Sequence, residues 1–397
     1  MKYYIIAGEP SGDLHGAKLI EGLKKADSEA SFRFWGGDLM AEAGRAANLV
    51  KHYRETSFFG FVNVLKNLRT IRRQFAECHR DITTFRPDVV ILIDYPGFNL
   101  KIARWAKEQG LTVFYYIAPK AWAWKEHRVK QIKRYVDRLY TIFPFETEWF
   151  GQFGIEPHFC GNPLSDDIAL RRKTLPTREA FLAKHHLDER PIVALVAGSR
   201  PNEIRENLPD MVALSKRFPT HQFIVTAVPW LDRALYDREI EGSEVRYLCG
   251  ETQQILAMSD AAIVTSGTAT LETALMGIPE MVLYHIPKLY EVLRPYVLKI
   301  PFVSLVNINL GREAVRELVC CKIEMQEAEA ELRSILPGGS KRAKMLSDFA
   351  ELQQLIGGAG ASDRFAEQMV KHLKEDRAKS KEQREVREVK EFREFRE

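Results

Sequence analysis

Short apolar, β-prone runs recur along the chain with amphipathic helical stretches between them, and this alternation constrains the fold more than any other feature. The runs fall at residues 3–7, 88–94, 112–117, 138–142, 192–196, 222–226 and 261–264. Strands spaced by helices cannot pair as hairpins; they build parallel sheets whose faces the helices cover. The texture changes at 162–191, a polar, Pro-punctuated stretch with a short helix at 178–186, which marks a domain boundary. The expected fold is α/β, with doubly wound domains at 1–170 and 190–336. They should face each other across one cleft, with loops at the carboxyl ends of both sheets pointing into it. Beyond Pro337-Gly338-Gly339 the pattern turns helical, and Phe365, Met369, Val370 and Leu373 follow helical spacing. Residues 337–373 are expected to form helices packing back across the domains. Residues 374–397 are nearly all charged and end in a triplet repeat, which reads as a solvated, low-complexity tail.

At 397 residues, with 45% hydrophobic and 28% charged, the chain has the interior for two domains and is not a disordered protein. A net charge of +4 with no recognisable module gives no reason to invoke nucleic acid. The cysteines Cys78, Cys160, Cys249, Cys320 and Cys321 lack the paired spacings of a zinc site, and no D-x-D triplet occurs, so neither a metal nor a cofactor is expected. The apolar run after Met1-Lys2 is too brief for a signal peptide, and nothing approaches the roughly 20 apolar residues of a membrane span. A cytoplasmic protein is expected, with peripheral membrane attachment open.

The segment from Val264 to Pro279 reads as a strand, a small-residue turn and a helix. Such a turn offers backbone N–H groups to an anion. Ser266, Gly267 and Thr268 would surround a phosphate, and Glu272, a turn further on, would accept from ribose hydroxyls; the alternative is a plain helix cap. Gly198-Ser199-Arg200-Pro201-Asn202-Glu203 also follows a strand. There Arg200 would clamp a diphosphate and stabilise a departing nucleotide, or merely pair with Glu203 on the surface.

In the first domain the first strand ends in Gly8-Glu9-Pro10-Ser11-Gly12-Asp13. This loop lacks the third glycine of a dinucleotide fingerprint, yet its carboxylates suit sugar hydroxyls or a base; equally, Asp13 would cap a helix. Asp94, in Asp94-Tyr95-Pro96-Gly97-Phe98-Asn99, is placed at the rim of the sheet to orient or deprotonate a hydroxyl, or to cap the following turn. Trp122 and Trp124, with flanking lysines, would meet a sugar face or an anionic headgroup, or pack in the interior. Phe58, Phe59 and Phe61 lead into a basic amphipathic stretch ending at Arg73, the composition of an interfacial anchor or of an ordinary solvated helix.

Together these motifs resemble the lipid-A-disaccharide synthase family, glycosyltransferases of the GT-B type with two Rossmann-like domains. The resemblance spans about residues 1–373. It rests on Gly8 to Asp13, Asp94 to Asn99, Tyr116 to Lys125, Gly161-Asn162-Pro163-Leu164, Gly198 to Glu203, Ser266 to Pro279 and Val303 to Asn307. It implies transfer of 2,3-diacylglucosamine from UDP-2,3-diacylglucosamine to 2,3-diacylglucosamine 1-phosphate, giving a β(1→6) disaccharide and UDP. The implied setting is the cytoplasmic face of the inner membrane, and a homodimer is compatible with it. Carried over by position, functional roles fall on Glu9, Arg200 and Asn307. Three positions depart from the family: Gly97 where some members have an Asp considered as the base, Asn162 where His is common, and Ala197 where Pro is common. Asp94 is therefore the first candidate base and Glu9 the second. Gly8, Ser11, Gly12, Asp13, Asn99, Trp122, Trp124, Ser199, Glu203, Ser266, Gly267, Thr268, Glu272 and Asn307 are assigned to substrate binding. The alternatives are another GT-B enzyme of UDP-sugars, such as a UDP-N-acetylglucosamine epimerase or a peptidoglycan-precursor transferase, or a catalytically silent sugar-nucleotide or lipid-binding module.

Overall fold

The computed structural model describes residues 1–55, 68–124, 126–288, 291 and 301–394. The chain divides into two compact units. Unit 1 comprises Met1–Ala121, Lys125–Pro163 and Gly360–Glu397; unit 2 comprises Trp122–Trp124 and Leu164–Ala359.

Unit 1 holds seven strands: β1 (Lys2–Ala7), β2 (Ser31–Gly36), β3 (Leu49–His52), β4 (Val89–Ile93), β5 (Val113–Tyr116), β6 (Arg138–Thr141) and β7 (Pro157–Phe159). They lie in the order β3-β2-β1-β4-β5-β6-β7, with every neighbouring pair parallel. The sheet thus grows one way from β1 and the other way from β4. All five residues of β4 are buried, as an apolar strand covered on both faces requires. Alternate residues of β1 serve opposite faces. Tyr3, Ile5 and Ala7 join Leu19, Ile20 and Leu23 of the helix Pro10–Ala26, together with Phe365 and Met369 near the chain end. Tyr4 and Ile6 join Cys78 and Ile82 of the helix Leu68–Phe85, and Phe98 and Ile102 of the helix Pro96–Glu108.

Unit 2 carries six parallel strands: β8 (Ile192–Val196), β9 (Gln222–Ala227), β10 (Arg246–Cys249), β11 (Ala261–Val264), β12 (Glu280–His285) and β13 (Glu317–Cys320). Their order is β10-β9-β8-β11-β12-β13, with the reversal between β8 and β11. The described residues therefore hold thirteen strands where the sequence runs indicate seven. In β2 the apolar run is interrupted by Arg33, whose guanidinium is held by Asp81 from the helix behind it at 2.8 Å. In turn β12 opens on the buried Glu280, and β13 is only four residues long.

The C-terminal segment is helical and divides between the two units. The helix Arg342–Ile356 stays within unit 2 and ends at Gly357, whose φ of 84° suits glycine. The next helix, Ala361–Glu394, packs in unit 1, where Asp363 pairs with Lys25 at 2.8 Å and the Phe365 ring centroid lies 5.0 Å from that of Tyr116. From residue 374 the same helix continues, with Lys374, Glu375, Arg377 and Ala378 exposed, and Asp376 and Arg377 pair with Arg138 and Asp88. Lys, Arg and Glu are strong helix formers, and opposite charges recur four apart in this stretch of sequence.

Candidate active site

In a doubly wound sheet the loops on either side of the strand-order reversal diverge, leaving a crevice at the carboxyl ends of the strands. In unit 1 that point lies between β1 and β4, the strands that lead into Gly8-Glu9 and Asp94. In unit 2 it lies between β8 and β11, which lead into Gly198-Ser199-Arg200 and Ser266-Gly267-Thr268.

The rim of unit 1 is strained. Asp94 and Tyr95 have φ of 42° and 47°, and Ile117, just past β5, has 63°. A β-branched residue at positive φ is a genuine outlier, held only where neighbours over-determine it. Here the Asp94 carbonyl accepts from Asn99 Nδ2 at 2.8 Å and from the Tyr115 hydroxyl at 2.6 Å, while its amide donates to the Tyr116 carbonyl at 3.1 Å. The Nδ2 of the fully buried Asn99 thus shapes the backbone beneath Asp94, while its Oδ1 has no hydrogen-bond partner among the described residues. Gly8 is required because a Cβ there would overlap the Tyr95 ring.

Burial pushes the Asp94 carboxyl up to about 6, the negative charge of Glu9 adds to the rise, and Lys120, the Tyr95 amide and Arg128 pull it back. The structure therefore brings Asp94 and Glu9 into one electrostatic group with two cations. Arg128, at the start of the helix Arg128–Tyr135, carries no motif that marks it in the sequence.

Other first-domain positions go elsewhere. The buried Asp13 accepts from the amides of Gly37 (2.7 Å), Leu39 (3.1 Å) and Met40 (3.0 Å), so its carboxylate is spent on the start of the helix Asp38–Gly44. Gly12 is buried in the first turn of the helix Pro10–Ala26, while Ser11 beside it is exposed. Trp122, expected in the first domain, falls in unit 2 and is buried, which favours packing over an open sugar-stacking face. The side chain of Trp124, together with Phe58, Phe59 and Phe61, lies outside the described residues. Gly97 is exposed, and a Cβ placed on it meets no described atom within 4 Å.

In unit 2, Gly198 has φ of 118°, and a Cβ there would overlap the Glu203 carboxylate. Glu203 folds back over the loop, accepting from the amides of Ser199 (2.8 Å) and Arg200 (3.2 Å) and from the Arg200 guanidinium (2.6 Å). The surface pair foreseen between Arg200 and Glu203 is present, and the Arg200 side chain is still 77% exposed. So exposed a pair is worth about 0–1 kcal/mol, so a phosphate can recruit the guanidinium at little cost.

Across the switch point, Gly267 precedes the helix Thr268–Leu275, where Thr268 is exposed. The Ser266 hydroxyl donates to the Val303 carbonyl at 3.0 Å. Asn307 is fully buried and saturated: Nδ2 donates to Val315 O and Glu317 Oε1, while Oδ1 accepts from the amides of Ala314 and Val315. Glu317 in turn receives the amides of Val303 and Ser304. Asn307 thus braces the loop that Ser266 leans on. Glu272 is half-buried, its carboxyl raised by burial, with Gln253 donating to it and Arg171 attracting it.

Sequence reasoning also missed Asn207. Fully buried on the helix that Arg200 caps, it donates to the Thr265 hydroxyl at 3.3 Å and accepts the His285 amide at 2.8 Å. It ties that helix to the carboxyl ends of β11 and β12; an Asn among apolar helix positions was the available signal.

A family model described as lipid-A-disaccharide synthetase matches residues 3–385. The chain is 35% identical over 380 residues to a lipid-A-disaccharide synthase of Myxococcus xanthus, covering 94% of this chain and 98% of that protein. It is 34% identical over 369 residues to that of Syntrophus aciditrophicus, covering 91% and 95%. Among solved structures it resembles the UDP-GlcNAc 2-epimerase of Neisseria meningitidis bound to UDP-GlcNAc, with a TM-score of 0.64, 13% identity and coverage of 94% and 100%. It also resembles a sucrose-phosphate synthase of Thermosynechococcus elongatus, with a TM-score of 0.60, 13% identity and coverage of 94% and 99%. At such identity these structures speak for the GT-B fold alone. With the family model and the relatives covering nearly its whole length, the chain belongs to the lipid-A-disaccharide synthase family and is a glycosyltransferase.

Proposed function

We propose that unit 1 activates the acceptor and unit 2 holds the leaving group in one inverting displacement. The 6-hydroxyl of 2,3-diacylglucosamine 1-phosphate attacks the anomeric carbon of UDP-2,3-diacylglucosamine. As the C–O bond to the new disaccharide forms, the bond to the diphosphate breaks and UDP departs with its electron pair. The hydroxyl proton passes to the Asp94 carboxylate. Asp94 carries this reading: a carboxyl at a switch point, raised to about 6, is ionised near neutrality yet more basic than an ordinary aspartate. Glu9 supports it by keeping that carboxyl basic and by binding acceptor hydroxyls. Arg200 and the turn at Gly267-Thr268 receive the charge growing on the diphosphate, and Glu272 takes the ribose.

No described helix is long and apolar enough to cross a membrane. The acylated substrates are met at a bilayer surface, and the exposed Arg69, Arg72 and Arg73 on the helix Leu68–Phe85 suit an anionic one.

The test is to supply both acylated sugars and measure UDP release and disaccharide. Arg200→Ala should cut turnover by about 10²-fold or more with the melting temperature unchanged, because its side chain is exposed. Wild-type rates in that variant would remove Arg200 from the mechanism, and UDP binding without turnover in the native chain would favour a silent module.

A further inference from the structure

Trp230 is the most exposed of the large hydrophobic side chains described, at 70%, although indoles rarely stay so open. It is also firmly held. The Val228 carbonyl accepts from the Leu231 amide at 3.3 Å, closing a four-residue turn with Pro229 and Trp230 at its centre. The Val228 amide donates to the Tyr236 hydroxyl at 3.3 Å, which anchors the turn to the following helix. On the other side Pro229 lies against Gly250, where an added Cβ would stand 3.6 Å from it. Finally, the indole Nε1–H donates to the Ser199 carbonyl at 3.2 Å, tying the ring to the loop that carries Arg200.

Ordering an aromatic side chain costs conformational entropy, and here burial returns little of it. The only polar atom of the ring is already used on Ser199, so what faces solvent is apolar surface and π-face. A ring fixed in that way against the loop that carries an exposed guanidinium is preorganised for a ligand that joins an anion to a ring with a stackable face. The geometry points to Trp230 as a stacking platform for a ring of the nucleoside-diphosphate sugar whose diphosphate Arg200 holds, an assignment that rests on the role proposed above for the rim of unit 2. The ring stacked is the nucleobase, through its planar π-face, or the pyranose, through the apolar C–H face of its chair, and the two differ in which part of the donor carries them.

Calorimetric titration of the full chain with UDP and with UDP-N-acetylglucosamine tests this in the native protein, Trp230→Ala and Trp230→Phe. Trp230→Ala should weaken binding about tenfold, with Trp230→Phe recovering most of the loss. Equal weakening for both probes assigns the platform to the nucleobase, and weakening confined to UDP-N-acetylglucosamine assigns it to the sugar. Thermal unfolding of both variants should match the native chain, which separates lost stacking from lost structure. Affinities within twofold of native for both probes would overturn the platform while leaving the nucleotide site standing. If the native chain takes up neither probe, the nucleotide assignment of unit 2 falls, and this proposal with it.

Discussion

Asp94 and Glu280 show one physical effect put to opposite uses. Both carboxyls are raised by burial, but Asp94 sits half-buried on a rim beside cations, whereas Glu280 is fully enclosed at the start of β12. For Asp94 the ionised form is the active one, so kcat/KM should rise through pH about 6 and level off above it. Asp94→Asn should abolish that limb of the pH–rate profile and lower kcat/KM by about 10²- to 10⁴-fold. A limb surviving in the variant would move the base elsewhere. Because the folded-state value exceeds the unfolded one, Asp94 also costs stability as pH rises above about 4, so the inactive Asn variant should melt higher at pH 7. Glu280 has no comparable use. Neither of its carboxyl oxygens finds a hydrogen-bond partner among the described residues, and the nearby Thr273 hydroxyl donates to the Ala269 carbonyl. Burial raises it well above the ordinary glutamate value, so the stability fully present below the unfolded value is lost as pH rises through the folded one. Glu280→Met, close in volume, should raise stability at pH 7 by about 1–3 kcal/mol in denaturant titrations and shrink that pH dependence. Asp94 could be singled out in the sequence because it ends an apolar run; Glu280 could not, because nothing local says that the strand it opens is buried.

At the scale of elements, residues singled out together separate into those that face a ligand and those that hold the loops that do. Asp13, Asn99, Glu203 and Asn307 all lie in the motifs that identify the family, yet their polar atoms, apart from the Asn99 Oδ1, are engaged by backbone or by neighbouring side chains. A motif marks a loop whose shape matters, and the sequence does not say whether a given side chain builds the shape or touches the substrate. Asp13 gives the cleanest contrast. Asp13→Ala would strand three amides at the start of the helix Asp38–Gly44, costing about 2–4 kcal/mol in denaturant titrations. Turnover per folded molecule should fall far less than in Arg200→Ala, and a loss as large as that of Arg200→Ala with stability intact would place Asp13 among the substrate contacts. The parallel arrangement was legible from alternation alone, since strands separated by helices leave few other topologies. Strands such as β2 were hidden because the partner of Arg33 lies 48 residues away, beyond any local pattern.

For the whole molecule, a net charge of +4 understates how cations can act, because attraction to a membrane depends on which of them share a face. Arg69, Arg72 and Arg73 stand three and four residues apart on the helix Leu68–Phe85, hence on one side of it, and all three are exposed. The spacing was readable in the sequence, whereas their exposure required the fold, since it depends on which face of that helix Cys78 and Ile82 turn inward. Each arginine near an anionic surface contributes about 1 kcal/mol, and the attraction decays over about 10 Å at 0.1 M salt. The chain should therefore sediment with vesicles rich in anionic phospholipid at low salt and be released as salt approaches 0.5 M. Arg69→Glu with Arg72→Glu and Arg73→Glu should cut low-salt binding by about 100-fold or more and leave turnover of detergent-dispersed substrates near native. Binding that resists salt and survives these changes would mean that apolar insertion, not charge, carries the attachment, and the aromatic residues Phe58, Phe59 and Phe61 would be the next to replace.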